Sequence, residues 1–278
     1  AVELVQGDIC DGSLVRDLLR SRHLQAIVHF AAESHVDRSI QGPAEFVQTN
    51  LVGTFTLLES ARQVWEGDTA ARFVHVSTDE VYGSLETGQA DESTTFAPNS
   101  PYSASKAGSD HLARAYHQTY GLPVIVTHCT NNFGPYQHLE KLIPLAIIRM
   151  TAGEMVPIYG DGRNIRDWLY VEDHCAALEA VLGRGSPGGT YGISGGNELS
   201  NLDLLAMLAD RVDLALGRPT GTSRAFFTFV PDRPGHDRRY ALSNSRLHQE
   251  LGWSPAIPFL EGLDLTIRWY LEHRVRWR

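Results

Sequence analysis

A tyrosine and a lysine stand four residues apart in Tyr102-Ser-Ala-Ser-Lys106. On a helix that spacing puts both side chains on one face. A neighbouring ammonium favours phenolate, so the spacing predicts a Tyr102 pKa below the ordinary value of about 10. Such a phenol can take a proton from an alcohol while hydride leaves the same carbon. Surface helices contain this spacing by chance, so the pair alone decides nothing. Upstream, Ser77-Thr78 offers a hydroxyl for the same substrate oxygen, and Asp79-Glu80 follows at once. Two adjacent carboxyls can divide the work of acid and base if their surroundings separate their pKa values. Standing alone they would be two solvated carboxylates.

The elements that must position these residues alternate. Residues 2–6 read as a short strand, and residues 13–22 as a helix with Ser13 as N-cap. Residues 25–30 read as a strand buried on both faces. Residues 43–63 form one long helix opened by Pro43, and residues 101–120 a second opened by Pro101. Strands are expected at 72–77 and 123–128. This alternation predicts a parallel sheet covered by helices, with ligand chemistry at the strands' C-terminal ends. Asp79 and Glu80 stand at such an end. Beyond Asn131 the texture changes. Turns fall at 160–163 and 231–235, and helices are expected at 171–183, 201–216 and 259–273. No linker separates the halves, so the second reads as a compact partner lobe.

The chain has 24 basic and 33 acidic residues, a net charge of −9 that argues against nucleic acid as a partner. No apolar run is long enough to span a membrane, and no secretory signal is visible. Cys10, Cys129 and Cys175 are far apart, which suits three reduced thiols in a cytoplasmic protein. The histidines lack zinc-site spacing, so no metal is expected.

Further strings could serve a ligand. In Phe30-Ala-Ala-Glu-Ser-His-Val-Asp-Arg-Ser39, the small Ala31 and Ala32 would let a cofactor approach the backbone, and Ser34 could hydrogen-bond substrate. Arg166 and Arg233 could hold a diphosphate, since guanidinium supplies both charge and fork-like donors. Arg163, Arg238 and Arg239 could equally be plain surface charges.

The Thr78/Tyr102/Lys106 set resembles the extended short-chain dehydrogenase/reductase superfamily. Val76-Ser-Thr-Asp-Glu-Val-Tyr-Gly83 is similar to the signature of its dTDP-glucose 4,6-dehydratase family. Asn131-Asn132-Phe-Gly-Pro-Tyr-Gln, Lys141-Leu142-Ile-Pro144, Pro157 to Asp167 and Asp232 to His236 resemble family segments in the same order. The resemblance implies a Rossmann-like parallel sheet with helices on both faces, its first βαβ unit missing, plus a smaller α/β substrate-binding lobe. It implies NAD as cofactor, dTDP-glucose as substrate and a lyase reaction. By the same carry-over, Thr78, Asp79, Glu80, Tyr102 and Lys106 are catalytic. Tyr102 and Lys106 also meet NAD, with Asp8, Ile9, Phe30, Ala31, Ala32, Ser34, Thr49 and Asn132. Substrate falls to Ser34, Thr78, Asn131, Lys141, Leu142, Pro157, Tyr159, Arg166, Asn201, Arg233 and His236. Asp79 as acid requires a raised pKa. The two long helices resemble those that pair across a family homodimer.

The implied division is a partial NAD-binding domain of residues 1–130 with about 165–190. The sugar-nucleotide domain takes 131–164 and about 191–278. No glycine-rich pyrophosphate turn precedes residue 8, so the expectation is a sequence lacking its N-terminal βαβ unit. A UDP-sugar 4,6-dehydratase, a 4-epimerase and a non-catalytic sugar-nucleotide-binding protein remain alternatives. The Asp79-Glu80 pair argues against the epimerase.

Overall fold

The computed structural model describes residues 2–273. The outermost positions of the two expected domains, 1 and 274–278, lie outside the described residues. Among the described residues the strands are β1 (Ala26–His29), β2 (Arg72–Thr78), β3 (Val124–Cys129), β4 (Asn131–Phe133), β5 (Val156–Tyr159), β6 (Ile165–Tyr170), β7 (Thr190–Ile193), β8 (Glu198–Ser200) and β9 (Phe227–Val230). The helices are α1 (Gly12–Ser21), α2 (Val36–Gln41), α3 (Pro43–Phe46), α4 (Thr54–Val64), α5 (Pro101–Tyr120), α6 (Leu142–Ala152), α7 (Val171–Arg184), α8 (Asn201–Ala215), α9 (Ser245–Leu251) and α10 (Phe259–Glu272).

The main sheet runs β1-β2-β3-β7, parallel throughout. Its central strands are apolar on both faces because both faces are covered. Phe73, Val124 and Val126 pack with Leu19 of α1, Leu58 of α4 and Ala113 of α5. Their neighbours Val74 and Ile125 point the other way, to Leu178 and Val181 of α7 and Leu247 of α9. This is the expected Rossmann-like arrangement.

The second lobe has two small sheets, β4-β6-β8 and β5-β9. Helices α6, α8 and α10 cover them around Phe133, Ile147, Trp168, Leu208 and Ile267. Strand β6 belongs to this lobe, yet the α7 that follows it packs on the main sheet, so the chain crosses between lobes at residue 170. No helix among the described residues is long and apolar enough to cross a membrane.

Four local expectations are corrected. Residues 2–6 form no strand; Val2 and Leu4 are 102% and 92% exposed, and the run pairs with no strand among the described residues. The β1 run is shorter than expected and only His29 is buried, because β2 pairs with one of its edges and the helices sit over β2 and β3. The cap of α1 is Asp11, not Ser13. Its Oδ1 takes the N–H groups of Ser13 and Leu14 at 3.0 and 3.1 Å. The long helix expected at 43–63 is broken into α3, a π-helical segment Val47–Gly53 and α4. In that segment the buried Asn50 amide bonds the Glu33 backbone at 2.8 and 3.0 Å and Ser105 Oγ at 2.9 Å. A short helix, α2, starts within the string 30–39.

The expected helix at 101–120 is found with those bounds. Pro101 fills its first turn, Ser100 and Ser103 cap each other, and Gly121 closes it at φ 68°.

Candidate active site

Strand β2 ends at Thr78, and a single 3₁₀ turn, Asp79–Tyr82, follows. Thr78 Oγ1 caps that turn by accepting from Glu80 N at 3.2 Å. Gly83 ends it at φ 71°, where a Cβ would meet the Ala97 carbonyl oxygen at 2.2 Å. The turn therefore fixes two adjacent carboxyls at the mouth of the sheet.

Their surroundings differ. Asp79 is buried, and its Oδ2 has no hydrogen-bond partner among the described residues. Burial lifts its pKa well above the carboxylate range, and the Glu80 charge adds to this against Arg166. Glu80 is half-buried, and burial raises its pKa also. Three cations, Arg166, Arg233 and Lys141, oppose that rise. Asp79 is thus suited to hold a proton and Glu80 to lose one.

Tyr102 and Lys106 lie one turn apart on α5, both buried. The expected lowering of the Tyr102 pKa is not found. Burial lifts it well above the phenol range, the Glu80 carboxylate adds to this, and a hydrogen bond with Thr78 opposes it. The reason is geometric: the Lys106 ammonium donates to the Val76 carbonyl at 2.9 Å, while the phenol faces carboxylates. One turn further along, Asp110 accepts from Ser77 Oγ at 2.9 Å and contacts His128 Nε2 at 3.0 Å and His75 Nε2 at 3.1 Å. Burial would raise the Asp110 pKa, but those two histidines hold it below the carboxylate range. The sequence reading missed this buried network. Its only signal was the repeat of polar residues at 102, 106 and 110, every fourth position of one helix.

Beyond Glu80 opens a cavity of about 240 Å³. Ser34 reaches it from the loop after β1, Asn131 from β4, and Lys141 and Leu142 from the start of α6. Pro157 and Tyr159 come from β5, Arg166 from β6 and Asn201 from α8. Arg233 and His236 come from the loop after β9. Every expected substrate residue except Thr78 lines this one space. Arg166 is held rigidly, donating to the Ile165 and Asp237 carbonyls at 2.7 and 3.0 Å. Lys141 donates to the Ser34 carbonyl at 3.1 Å. His236 shares Asp232 Oδ1 at 2.6 Å, and burial lowers its pKa, which favours the neutral ring. Arg163 is exposed, whereas Arg238 pairs with Asp161 and Arg239 with Glu198.

Asp37 of α2 also lines the cavity and was not singled out. It accepts from the Tyr159 hydroxyl at 3.2 Å and pairs with Arg233 at 3.7 Å. It lies inside the string 30–39, but only the folded chain brings it to β5.

The expected cofactor residues are less tightly gathered. Phe30, Ala31 and Ala32 follow β1, with Phe30 58% exposed, and Thr49 is half-buried on the π segment. Asn132 lies on β4, its Oδ1 buried without a partner among the described residues. Asp8 and Ile9 lie apart from the catalytic set, in an apolar depression shared with Leu14, Ile27 and Leu57. The unpartnered Asn132 Oδ1 and the buried Lys106 ammonium, each next to Cys129, are an acceptor and a donor that fit the carboxamide and ribose of a nicotinamide nucleotide.

The chain is similar to proteins of known kind. The family model for GDP-mannose 4,6 dehydratase matches residues 1–266. The dTDP-glucose 4,6-dehydratase of Xanthomonas campestris pv. campestris (strain B100) is 54% identical over 277 residues, 97% of this chain and 79% of that protein. That of Escherichia coli is 49% identical over 289 residues, 98% of this chain and 80% of that protein. The crystal structure of DesIV, a dTDP-glucose 4,6-dehydratase from Streptomyces venezuelae with NAD and TYD bound, is 49% identical. It matches with a TM-score of 0.91 over 99% of this chain and 81% of that one. Fold, paired carboxyls and sequence agree: the chain belongs to the dTDP-glucose 4,6-dehydratase family.

Proposed function

We propose that this chain dehydrates dTDP-glucose to dTDP-4-keto-6-deoxyglucose with NAD as a recycled cofactor. The observation that carries this is the Asp79-Glu80 pair beside Thr78 and Tyr102, with Asp79 buried and Glu80 opening on a cavity walled by Lys141, Arg166 and Arg233. An epimerase needs no such acid and base. When bound, NAD supplies the oxidation of C4 and the later reduction of C6. Lys106, Tyr102, Asn132, Thr49, Ser34, Phe30, Ala31, Ala32, Asp8 and Ile9 are the residues to hold it.

Tyr102 takes the proton of the C4 hydroxyl, with Thr78 hydrogen-bonded to the phenol. Lys106 supplies positive charge to that pair. A C4 ketone makes the C5 proton acidic, and Glu80 removes it. Asp79, kept protonated by burial, gives its proton to the C6 hydroxyl, which leaves as water. Arg166, Arg233 and Lys141 take the diphosphate, and Tyr159, Asn201 and His236 take the nucleoside end. Product analysis tests the reading. Incubation with NAD and dTDP-glucose should give the 4-keto-6-deoxy sugar, and more slowly or not at all with UDP-glucose. A 4-epimer, or tight dTDP binding without turnover, would overturn it.

Arg166→Met is expected to raise KM for the sugar nucleotide about 10–100-fold, the worth of one charge-assisted bond. Steady-state kinetics read this. An unchanged KM would remove Arg166 from the diphosphate site.

We also infer a homodimer and a cytoplasmic location. Val47, Val52 and Phe55 are exposed along the π segment and α4, beside α5. Three free thiols suit a reducing compartment.

A further inference from the structure

Tyr240 is a buried phenol of the second lobe that the reaction above does not use. It runs beside β6, donating its N–H to the Ile165 carbonyl at 3.2 Å. The Arg166 guanidinium lies 4.2 Å from its ring centroid. Its hydroxyl is 2.7 Å from Asp237 Oδ2 and 3.4 Å from Glu80 Oε2. A phenol has one proton and donates it once. The shorter contact takes it. The oxygen of Tyr240, not its hydrogen, therefore faces Glu80.

Asp237 is itself fixed. Its Oδ1 accepts from Asn99 Nδ2 at 2.7 Å, and its backbone carbonyl accepts from Asn164 at 3.1 Å and Arg166 at 3.0 Å. With Glu80 ionised, two oxygens face each other with no proton between them. With Glu80 protonated, its own O–H completes the bond.

Resting on the dehydratase reading, we propose that Tyr240, aimed by Asp237, is a positioning residue that accepts a hydrogen bond from Glu80 once Glu80 has taken the C5 proton. The C5–H bond breaks and its electron pair forms the C5–C6 double bond. The C6–O bond breaks with the proton from Asp79, releasing water. The proton gained by Glu80 stays there, hydrogen-bonded to Tyr240, until it returns to C5. None passes to Tyr240 or Asp237.

The other groups facing Glu80 are Arg166 of β6, Arg233 of the loop after β9, Lys141 at the start of α6, Asp237, Asp79 and Tyr102. The three cations favour the carboxylate. Tyr240 works against them and keeps Glu80 basic enough to attack a carbon-bound proton.

Two variants test this. Tyr240→Phe removes the acceptor. Asp237→Asn reverses it. There the Asn99 amide selects the carbonyl oxygen of the new side chain and leaves its NH₂ facing Tyr240. The Tyr240 hydroxyl then turns to donate to Glu80. Both changes favour ionised Glu80, and a base works above its pKa. The acidic limb of the elimination step should therefore move down by roughly 0.5–1 pH unit in each variant, the size of one net hydrogen bond. The weaker base should also slow elimination about 3–10-fold at the plateau.

Quenched reactions followed by mass spectrometry separate 4-ketoglucose nucleotide from 6-deoxy product. The ketone should build up in both variants while its rate of formation is unchanged. Limbs that stay at wild-type pH in both variants, at wild-type melting temperature, overturn the role of Tyr240. A destabilised Tyr240→Phe leaves Asp237→Asn, whose phenol still fills the site, to decide. If wild type forms no ketone, the proposal falls together with the dehydratase reading.

Discussion

Asp79→Asn is expected to cut formation of the 6-deoxy product about 10²–10⁴-fold while 4-ketoglucose nucleotide accumulates, as an acid's removal should. The amide matches the carboxyl in shape but has no proton to give the leaving hydroxyl. Thr78, Tyr102 and Lys106 are untouched, so C4 oxidation continues. Mass spectrometry of quenched reactions reads the two species, and product at the wild-type rate would remove Asp79 from the acid role. The same substitution should stabilise the protein above neutral pH. Asp79 carries a folded-state pKa above its ordinary 3.8 because burial disfavours the charge. The folded state then binds more protons than the unfolded one. Stability falls as pH rises from about 3.8 through the raised value, and the full penalty persists above it. Asp79→Asn removes that penalty, so its melting temperature should exceed wild type at pH 8 by more than at pH 4.

Tyr102→Phe should fail one step earlier. Without the phenol nothing takes the C4 hydroxyl proton, and turnover is expected to fall about 10²–10⁴-fold with neither ketone nor 6-deoxy product formed. The contrast with Asp79→Asn is the diagnostic point, because a general loss of folding would not separate the two species. Accumulated ketone in Tyr102→Phe would assign the proton to another group. The burial that lifts the Tyr102 pKa makes the phenol proton-bearing in the free protein. The phenolate is therefore a species of the loaded site.

The features legible in the sequence were those set by local chemistry. Pro101, the serines around residue 100 and Gly121 punctuate α5 at both ends, and its bounds were readable to the residue. The apolar runs of β2 and β3 were readable because both faces are covered. Residues 2–6 have the same composition as a strand but pair with no strand among the described residues. Ser13 lost its cap to Asp11, two positions earlier: the Asp11 carboxylate accepts from the N–H groups of Ser13 and Leu14, and the Ser13 hydroxyl itself donates to it at 2.6 Å. The cavity was foreshadowed by ordered strings, which named the residues but not their partners. Asp37, Asp110 and Tyr240 act through contacts with residues distant in the sequence, as between Ser77 and Asp110, 33 positions apart, or Glu80 and Tyr240, 160 apart. No local pattern encodes such a contact. The sign of the Tyr102 shift failed for the same reason: spacing placed Lys106 near, but burial and Glu80 decided.

The π segment between α3 and α4 sets a rule for chain length. A π turn holds one residue more than an α turn, and each residue of helix turns the following face by about 100°. Residues 47–53 therefore absorb, in a widened turn, a residue that would otherwise rotate the following face. Ahead of them Phe46 packs toward Tyr102; beyond them Leu57, Leu58 and Ala61 pack on the main sheet. Losing a single residue there would restore a regular helix with those faces kept, but would close the wide turn that seats Asn50 against Glu33 and Ser105. Most substitutions along this stretch leave that turn open, whereas a one-residue deletion closes it, so its length is constrained more strictly than its composition.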